Sequence, residues 1–357
     1  MWPGFGRSLG VMKNLILPLC LFGLPFLLLG FPIEPGVVAA AQGPKKTLGT
    51  IERKDPRLDA LVPKDARLEV LAEGFAWTEG PVWDKKGSRV LFSDIPANAV
   101  HEWTEGGGLK LFLKPSGYSG SAPFTGREPG SNGLAYDAKG QLVLCQHGNR
   151  QIARLEKDGT FKTLADRYQG KRFNSPNDLA YHSNGDLYFT DPAYGLPKTF
   201  DDPGRELSFT GVYRLAKDGA VTLLERDLKA PNGIAFAPDE KTLYVAQSHP
   251  AHAVVMAYDV QADGTVKNGR VFFDMTSWVG KDRPGLPDGL KLDRAGNLFV
   301  TGPGGVHVLT PRAEHLGTIA TGVPTANCAF GEDGSTLFVT ANTTLCRIRL
   351  TTRGAGL

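Results

Sequence analysis

The chain has 357 residues, of which 41% are hydrophobic and 22% are charged, and its formal net charge is +3. These values are those of an ordinary soluble globular protein, long enough for two small domains or one large β-domain. The near-neutral charge excludes an electrostatic case for binding nucleic acid or an anionic membrane surface.

The first 41 residues differ from the rest of the chain. Two basic residues precede an apolar run over residues 15–31, and small residues at 38–41 end the segment. This layout predicts a secretory signal peptide, and hence a periplasmic or secreted protein. An uncleaved membrane anchor is the alternative because the run is long, but Pro18 and Pro25 interrupt it and favour cleavage. Cleavage would leave 38 basic and 36 acidic side chains, a balance that does not favour a membrane surface.

Three cysteines, Cys145, Cys328 and Cys346, follow the leader. Three cysteines cannot all pair with one another, and a chain of this length does not depend on disulfide bonds. We therefore expect them to be small buried apolar residues.

Residues 42–66 are polar and contain proline, which predicts a linker. From residue 67 onward, short apolar strands alternate with Gly, Asp and Asn turns, and no sustained helical period occurs. The units open at positions 80, 133, 178, 233 and 289, a repeat of about fifty residues. Repeats of this size built from four short strands predict an all-β fold, a six-bladed β-propeller over residues 67–350 followed by a short tail at 351–357.

The sixth unit shows only three strands before the chain ends. Residues 67–71, which precede the first unit, can supply its missing outer strand. We therefore expect an N-terminal strand to close the ring, an arrangement that removes an exposed sheet edge.

A polar side chain stands at the same point of five units, at the start of the first strand. These residues are Glu79, Asn132, Asn177, Asn232 and Asp288. The chain alternates direction within a blade, so the loops leading into the first strand share a face with those joining the second and third strands. We expect the five side chains to surround the mouth of the central channel.

Asn-Gly and Asp-Gly are also common turn sequences, which is the alternative interpretation of each position taken singly. Five oxygen-bearing groups converging in a narrow channel would repel one another or remain unsatisfied without a partner. Glu79 and Asp288 supply two negative charges, and Asn177 and Asn232 supply neutral carbonyl oxygens. This set suits Ca²⁺, although another divalent cation is possible, and the absence of His and Cys argues against zinc. Asn132 is either a further ligand or a substrate contact.

Other polar residues lie in loops predicted to face the same mouth. His147, Asp191, Tyr194 and His249 follow second strands of their units, and Arg172 precedes the third unit. We consider all five as substrate contacts, with the alternative that a loop histidine is a solvated surface residue. Asp191 could instead bond water on the cation or hold its own turn.

Several short motifs together carry a family resemblance. They are Glu79-Gly80-Pro81, Asn174-Ser175-Pro176-Asn177-Asp178, Phe189-Thr190-Asp191-Pro192, Pro231-Asn232-Gly233, Pro287-Asp288-Gly289 and Asn327-Cys328-Ala329-Phe330. From about residue 67 to 349 the chain resembles the gluconolactonase/regucalcin (senescence marker protein) family. That resemblance implies a six-bladed propeller with a divalent cation in its channel, acting on sugar lactones. It also implies that Glu79, Asn232 and Asp288 bind the cation, that Asn177 binds cation or substrate, and that Asp288 handles protons.

The expected function is therefore that of a metal-dependent lactonase, a carboxylic ester hydrolase in which water attacks a cation-polarised carbonyl. Asp288 is the candidate base, and direct attack or orientation of the water are its alternative roles. Two other functions stay open. One is a secreted propeller with a structural calcium that binds a glycan or protein, and the other is hydrolysis of phosphotriesters at the same site.

Overall fold

Runs of β-branched and aromatic residues between Gly and Asp turns form antiparallel strands throughout the chain. The structure, a computed structural model, describes residues 45–280 and 282–356, so the predicted leader lies outside the described residues. The strands form six sheets of successive antiparallel neighbours, plus a two-stranded hairpin of Arg167–Tyr168 and Lys171–Arg172. Three short 3-10 helices complete the described part, at Pro56–Ala60, Thr199–Asp201 and Thr276–Trp278.

The six sheets are the blades of a propeller, named one to six here in chain order from their inner strands. Blade one contains Thr78–Asp84, Arg89–Asp94, Ala99–Thr104 and Gly108–Leu113. Blade two contains Ser131–Tyr136, Leu142–Gln146, Gln151–Leu155 and Phe161–Ala165. Blade three contains Leu179–Tyr181, Leu187–Asp191, Gly211–Leu215 and Val221–Glu225.

Blades four and five have the same order of strands, and blades five and six each include one outer strand from the N-terminal part of the chain. Blade four contains Pro231–Phe236, Thr242–His249, His252–Val260 and Val266–Asp274. Blade five contains Leu290–Leu292, Leu298–Gly302, Gly305–Leu309 and His315–Ala320, and Thr50–Arg53 is added outside them. Blade six contains Thr325–Gly331, Thr336–Ala341 and Thr344–Arg349, and Glu69–Glu73 pairs antiparallel with the last of these.

The inner strands of neighbouring blades contact one another around a complete circle. Within the described residues, one cluster of buried apolar side chains lies between each neighbouring pair of blades. Because every strand buries alternate side chains against a neighbouring blade, this packing holds the six inner strands at fixed positions around the central channel. The all-β six-bladed propeller predicted from the repeat is confirmed.

The segment predicted to be a linker is structured over part of its length. Thr50–Arg53 pairs with His315–Ala320, and the following helix Pro56–Ala60 places Leu58 in the core with no exposed surface. The four-residue strand is too short to show a period in the sequence, so the polar composition of the segment alone predicts a linker.

The three cysteines after the leader are buried and free, as small apolar residues would be. Within the described residues, no helix is long and apolar enough to cross a membrane.

Candidate active site

The polar ring is built where each inner strand begins. In blades one, two, four and six the ladder with the second strand shifts register at this point, as between Glu79 and Val82 and between Pro231 and Ile234. A bulge of this kind takes one or two residues out of the ladder and re-aims their side chains. In these four blades the bulge therefore directs one polar side chain toward the channel.

Glycine after the polar residue lets the inner strands approach closely. A Cβ atom on Gly80 would lie 2.1 Å from the carbonyl oxygen of Asn132, and one on Gly233 would lie 2.1 Å from that of Asp288. Any side chain at these positions would push the neighbouring strand outward. The glycines of the Asn-Gly and Asp-Gly pairs therefore allow the inner strands to lie close together, in addition to forming turns.

Hydroxyl groups on the second strands fix the backbone of the ring from behind. Ser93 donates to the Asn132 carbonyl at 2.8 Å, and Thr190 donates to the Asn232 carbonyl at 2.7 Å, each across a blade boundary. Thr301 makes the same contact with the Ala326 carbonyl at 2.9 Å. With these carbonyl groups satisfied by neighbouring blades, the side chains of the ring residues remain available to the channel.

Four side-chain oxygens of the ring are buried without a hydrogen-bond partner among the described residues. They belong to Asn132, Asn177, Asn232 and Asp288, and they come from four different blades. Leaving a buried polar atom unpaired costs about 1–3 kcal/mol each, so four in one place require a common explanation. A ligand that takes up several oxygen atoms at once would satisfy them together.

The orientation of the Asn232 amide is set by Ser248. The Ser248 hydroxyl donates to the Pro287 carbonyl, so its oxygen accepts from the Asn232 Nδ2, at 3.0 Å. The amide nitrogen therefore points to Ser248, and the Asn232 Oδ1 points the other way, toward the channel.

The two carboxyl groups of the ring are held at raised pKa values. Burial, together with the charge of Asp178, raises the pKa of Glu79 to about 8, against hydrogen bonds from the Gly80 N–H at 2.9 Å and the Asn327 amide at 3.3 Å. Burial and the charge of Glu79 raise the pKa of Asp288 well above its ordinary value. A cation between them would reverse this destabilisation and favour both ionised forms.

The donor set fits a hard cation. Two carboxylates and up to three amide oxygens are the ligands that Ca²⁺ takes, and the unpaired oxygens of Asn177, Asn232 and Asp288 are among the atoms that would coordinate it. Within residues 45–280 and 282–356, no group of three or more His, Cys, Asp or Glu side chains is placed to hold a metal ion. The fit therefore depends on the amides as well as on the carboxylates.

All five predicted ring residues line one cavity of about 580 Å³. Its other walls include Trp77, Ile95, Glu128, Tyr194, Ser248 and Leu286. The cavity thus joins an oxygen-rich floor to a largely apolar wall, as small-molecule sites commonly do.

The predicted substrate contacts separate into two groups. Tyr194 lines the main cavity, and it also lines an adjoining cavity of about 660 Å³ that includes His249. Arg172 lines neither of these cavities, since its guanidinium donates to the Asn149 carbonyl at 2.8 Å. His147 is fully buried behind the main cavity rather than exposed to it.

Asp191 supports the ring from behind and does not line either cavity. One of its carboxylate oxygens accepts from the Asn174 N–H and the other from the Ser175 N–H, both at 2.8 Å. Of the three roles considered from the sequence, which are substrate contact, bonding water on the cation and holding its own turn, this geometry corresponds to the last, in the turn that leads to Asn177. Burial raises the pKa of Asp191 to about 7 in spite of these bonds.

Comparison with known proteins shows the family of this chain. A model described as the SMP-30/Gluconolactonase/LRE-like region matches residues 77–343. The chain belongs to this family. The gluconolactonase of Zymomonas mobilis is 40% identical over 313 residues, which cover 86% of this chain and 88% of that protein. The family resemblance inferred from the sequence is confirmed.

Solved structures agree with the fold. A gluconolactonase from Xanthomonas campestris is similar with 33% identity and a TM-score of 0.74, over 87% of this chain and 99% of that one. A regucalcin from Agrobacterium tumefaciens, described as a calcium-binding protein, has the same fold at 20% identity and a TM-score of 0.62, over 81% and 94%.

Three residues of the site were not among those predicted. Asn327 is the sixth-blade counterpart of the ring residues, and its amide lies 3.3 Å from Glu79 and 3.5 Å from Asp178. Asp178 stands where four other blades have glycine, so its position in the repeat was the available signal. Glu128 lies in the long insertion before blade two and has no repeat position, so the sequence offered no signal for it.

Proposed function

We propose that this protein is a lactonase, a carboxylic ester hydrolase that opens a sugar lactone with water, and that its activity requires a divalent cation held by the ring. The observation that carries the proposal is the convergence of four unpaired, buried side-chain oxygens from four blades. The similarity to a gluconolactonase over most of both chains supports the choice of substrate class.

Glu79, Asn232 and Asp288 are the residues that would hold the cation, with Asn177 as a fourth ligand. We propose Ca²⁺, because the donors are oxygen atoms only and because a relative with this fold is described as calcium-binding. When bound, the cation supplies electrophilic polarisation of a carbonyl group and stabilises negative charge on its oxygen.

The chain itself supplies orientation and proton transfer. Asn132 and Asn177 present amide groups to the cavity that would orient the lactone ring, and Tyr194 forms part of its wall. Asp288 faces the cavity with one oxygen unpaired, and it is our candidate to take a proton from the attacking water. We further propose that residues 1–41 are removed on export, so that the enzyme acts in the periplasm or outside the cell.

Acid release from glucono-δ-lactone and a panel of other lactones tests the proposal, with the purified protein before and after chelation. We expect turnover that is lost on chelation and restored by Ca²⁺. Turnover that survives complete removal of metal would contradict the role of the cation.

A fluorophosphate substrate and a glycan panel, run beside the lactones, address the alternatives from the sequence. Hydrolysis of the fluorophosphate alone would assign the site to phosphotriesters. Binding without turnover of any substrate would leave a binding propeller with a structural cation.

A further inference from the structure

Glu128 places a third carboxylate in the cavity, outside the ring. It lines the same cavity as Glu79 and Asp288, and its side chain is 28% exposed. Its charge is close enough to contribute to the raised pKa values of both ring carboxyl groups and of Tyr194. The ring chemistry proposed above gives Glu128 no role.

The segment that carries Glu128 is fixed at both ends by hydrogen bonds to blade one. The Asn98 side-chain oxygen accepts from the Gly117 N–H at 2.8 Å, and its amide donates to the Tyr118 carbonyl at 2.8 Å. At the other end, the Gly130 N–H donates to the Ile95 carbonyl at 3.0 Å. Glu128 therefore projects from an anchored loop rather than a free one.

His147 holds the carboxylate from behind. Its Nδ1 lies 3.0 Å from the Glu128 Oε2, an ion-pair distance, although no aligned hydrogen bond joins the two groups. The imidazole has no exposed surface, and a Cβ on Gly195 would lie 2.5 Å from its Cβ, so the ring is enclosed on that side as well. The imidazole therefore lies against one oxygen of a carboxylate that lines the cavity, and no aligned donor among the described residues is paired with that carboxylate.

The described wall of the cavity offers Glu128 no positive side chain. Its lining contains no Lys, Arg or His, and Glu79 and Asp288 already balance the two charges of a divalent cation. A carboxylate accepts hydrogen bonds through both oxygens and pairs well with neighbouring hydroxyl donors. A lactone derived from a sugar presents such hydroxyls around its ring.

We propose that Glu128 is a specificity-determining residue that accepts hydrogen bonds from the hydroxyl groups of the substrate, with His147 as its positioning residue. Glu128 thereby selects polyhydroxylated lactones over unsubstituted ones and fixes the lactone carbonyl toward the ring. This inference rests on the proposed lactonase function and names the residue that selects the sugar lactones proposed there.

The test compares glucono-δ-lactone with δ-valerolactone, which lacks the hydroxyls, at saturating Ca²⁺. For Glu128→Gln we expect kcat/KM to fall about 10- to 100-fold for gluconolactone and to change less than about twofold for valerolactone. Glu73→Gln, on the outer strand of blade six, is the matched control and should leave both values unchanged.

The role of His147 has its own pair of variants. His147→Asn keeps a donor near the position of Nδ1, whereas His147→Leu removes it. We expect His147→Leu to reduce the preference for gluconolactone over valerolactone, and His147→Asn to retain most of it. An equal loss of preference in both variants would overturn the positioning role.

A set of lactones each lacking one hydroxyl tests the same contact in the wild-type enzyme, without a mutation that could impair folding. At least one of them should lose about 10- to 100-fold in kcat/KM, and that loss should shrink in Glu128→Gln. Two results for Glu128→Gln would overturn the inference while leaving the lactonase function intact. One is an unchanged preference for gluconolactone over valerolactone. The other is an equal loss of kcat/KM for both lactones together with a loss of bound Ca²⁺. Wild-type protein that opens neither lactone would instead remove the proposed function itself.

Discussion

The two ends of the central channel are built from the same six strands and differ in almost every other respect. At the end where the strands begin, Asn232 and three of its counterparts bury oxygen atoms that have no hydrogen-bond partner among the described residues. Four residues further along the same strand, Phe236 lines a cavity of about 410 Å³ at the opposite end, among aromatic and aliphatic side chains. The C-terminal tail reaches this far end, where the Ala355 N–H donates to the Leu292 carbonyl at 2.9 Å.

The two ends of the channel therefore contribute to different properties, one to the stability of the fold and the other to the proposed chemistry. The far end and the interfaces between blades bury apolar surface, which stabilises the fold. The near end instead gathers groups whose burial is unfavourable until a ligand satisfies them, as expected where a site is preorganised for chemistry. Changes at the two ends should therefore affect different measurements.

Asp288→Asn should have the largest effect, at the near end. The change keeps the size of the side chain but removes a charge and the candidate proton acceptor, so we expect kcat/KM for gluconolactone to fall about 10³-fold. Metal analysis of the same sample separates loss of the cation from loss of the base. Near-normal rates with bound metal would remove Asp288 from the chemistry.

Phe330→Ala should have the converse effect, at the far end. Phe330 is 6% exposed and packs edge-on against Phe299 with ring centroids 5.3 Å apart. Its truncation should lower the free energy of unfolding by about 3 kcal/mol, measured by denaturant titration, with kcat/KM retained within about twofold. A tenfold loss of activity in folded protein would show that the two ends are not independent.

Ser248→Ala should have a smaller effect. It changes the orientation of Asn232, a proposed ligand of the cation, but leaves Asn232 itself in place. Without the hydroxyl, the Asn232 amide loses the acceptor that turns its oxygen toward the channel. We expect Ca²⁺ affinity to fall about 10-fold, measured by calorimetry, with little change in stability of the metal-free protein. Ser248→Thr, which keeps the hydroxyl, is the control.

The pH dependence of stability should show the smallest and most gradual effect. In the metal-free protein the pKa of Glu79 is raised from 4.5 to about 8, so the folded state binds more protons than the unfolded state between these values. Stability should therefore decrease as the pH rises from 4.5 to 8, by a shift in melting temperature on the order of a few degrees.

Saturating Ca²⁺ should remove that decrease, because a cation bound by the carboxylates keeps them ionised. Melting curves across this pH range, with chelator and with Ca²⁺, make the comparison. Parallel curves under the two conditions would count against a cation bound by Glu79.

The sequence predicted the parts of the site that follow the repeat. Glu79, Asn232 and Asp288 recur at one point of the unit, and closed packing of equivalent strands brings equivalent positions to one axis. Glu128 and His147 could not be predicted as neighbours, because an irregular loop anchored by Asn98 brings them together.

The roles of polar residues outside the repeat could not be predicted from the sequence either. Arg172 and Asp191 have the chemistry of substrate contacts, but their hydrogen bonds to nearby backbone groups commit them to supporting loops. Residue type and approximate position do not reveal whether a side chain is already paired. The structured part of the predicted linker has no periodic signal in the sequence, because Thr50–Arg53 is only four residues long.

The added strand Thr50–Arg53 has a consequence for any shortened version of the protein. It covers the outer edge of His315–Ala320, and the Thr351 N–H donates to the Leu61 carbonyl at 3.0 Å, so the segment also touches the end of the chain. A chain beginning at residue 67 would leave an open strand of blade five in solution, free to pair with another copy. Such a truncation should self-associate at concentrations where the longer chain does not, even though all the proposed catalytic groups are present.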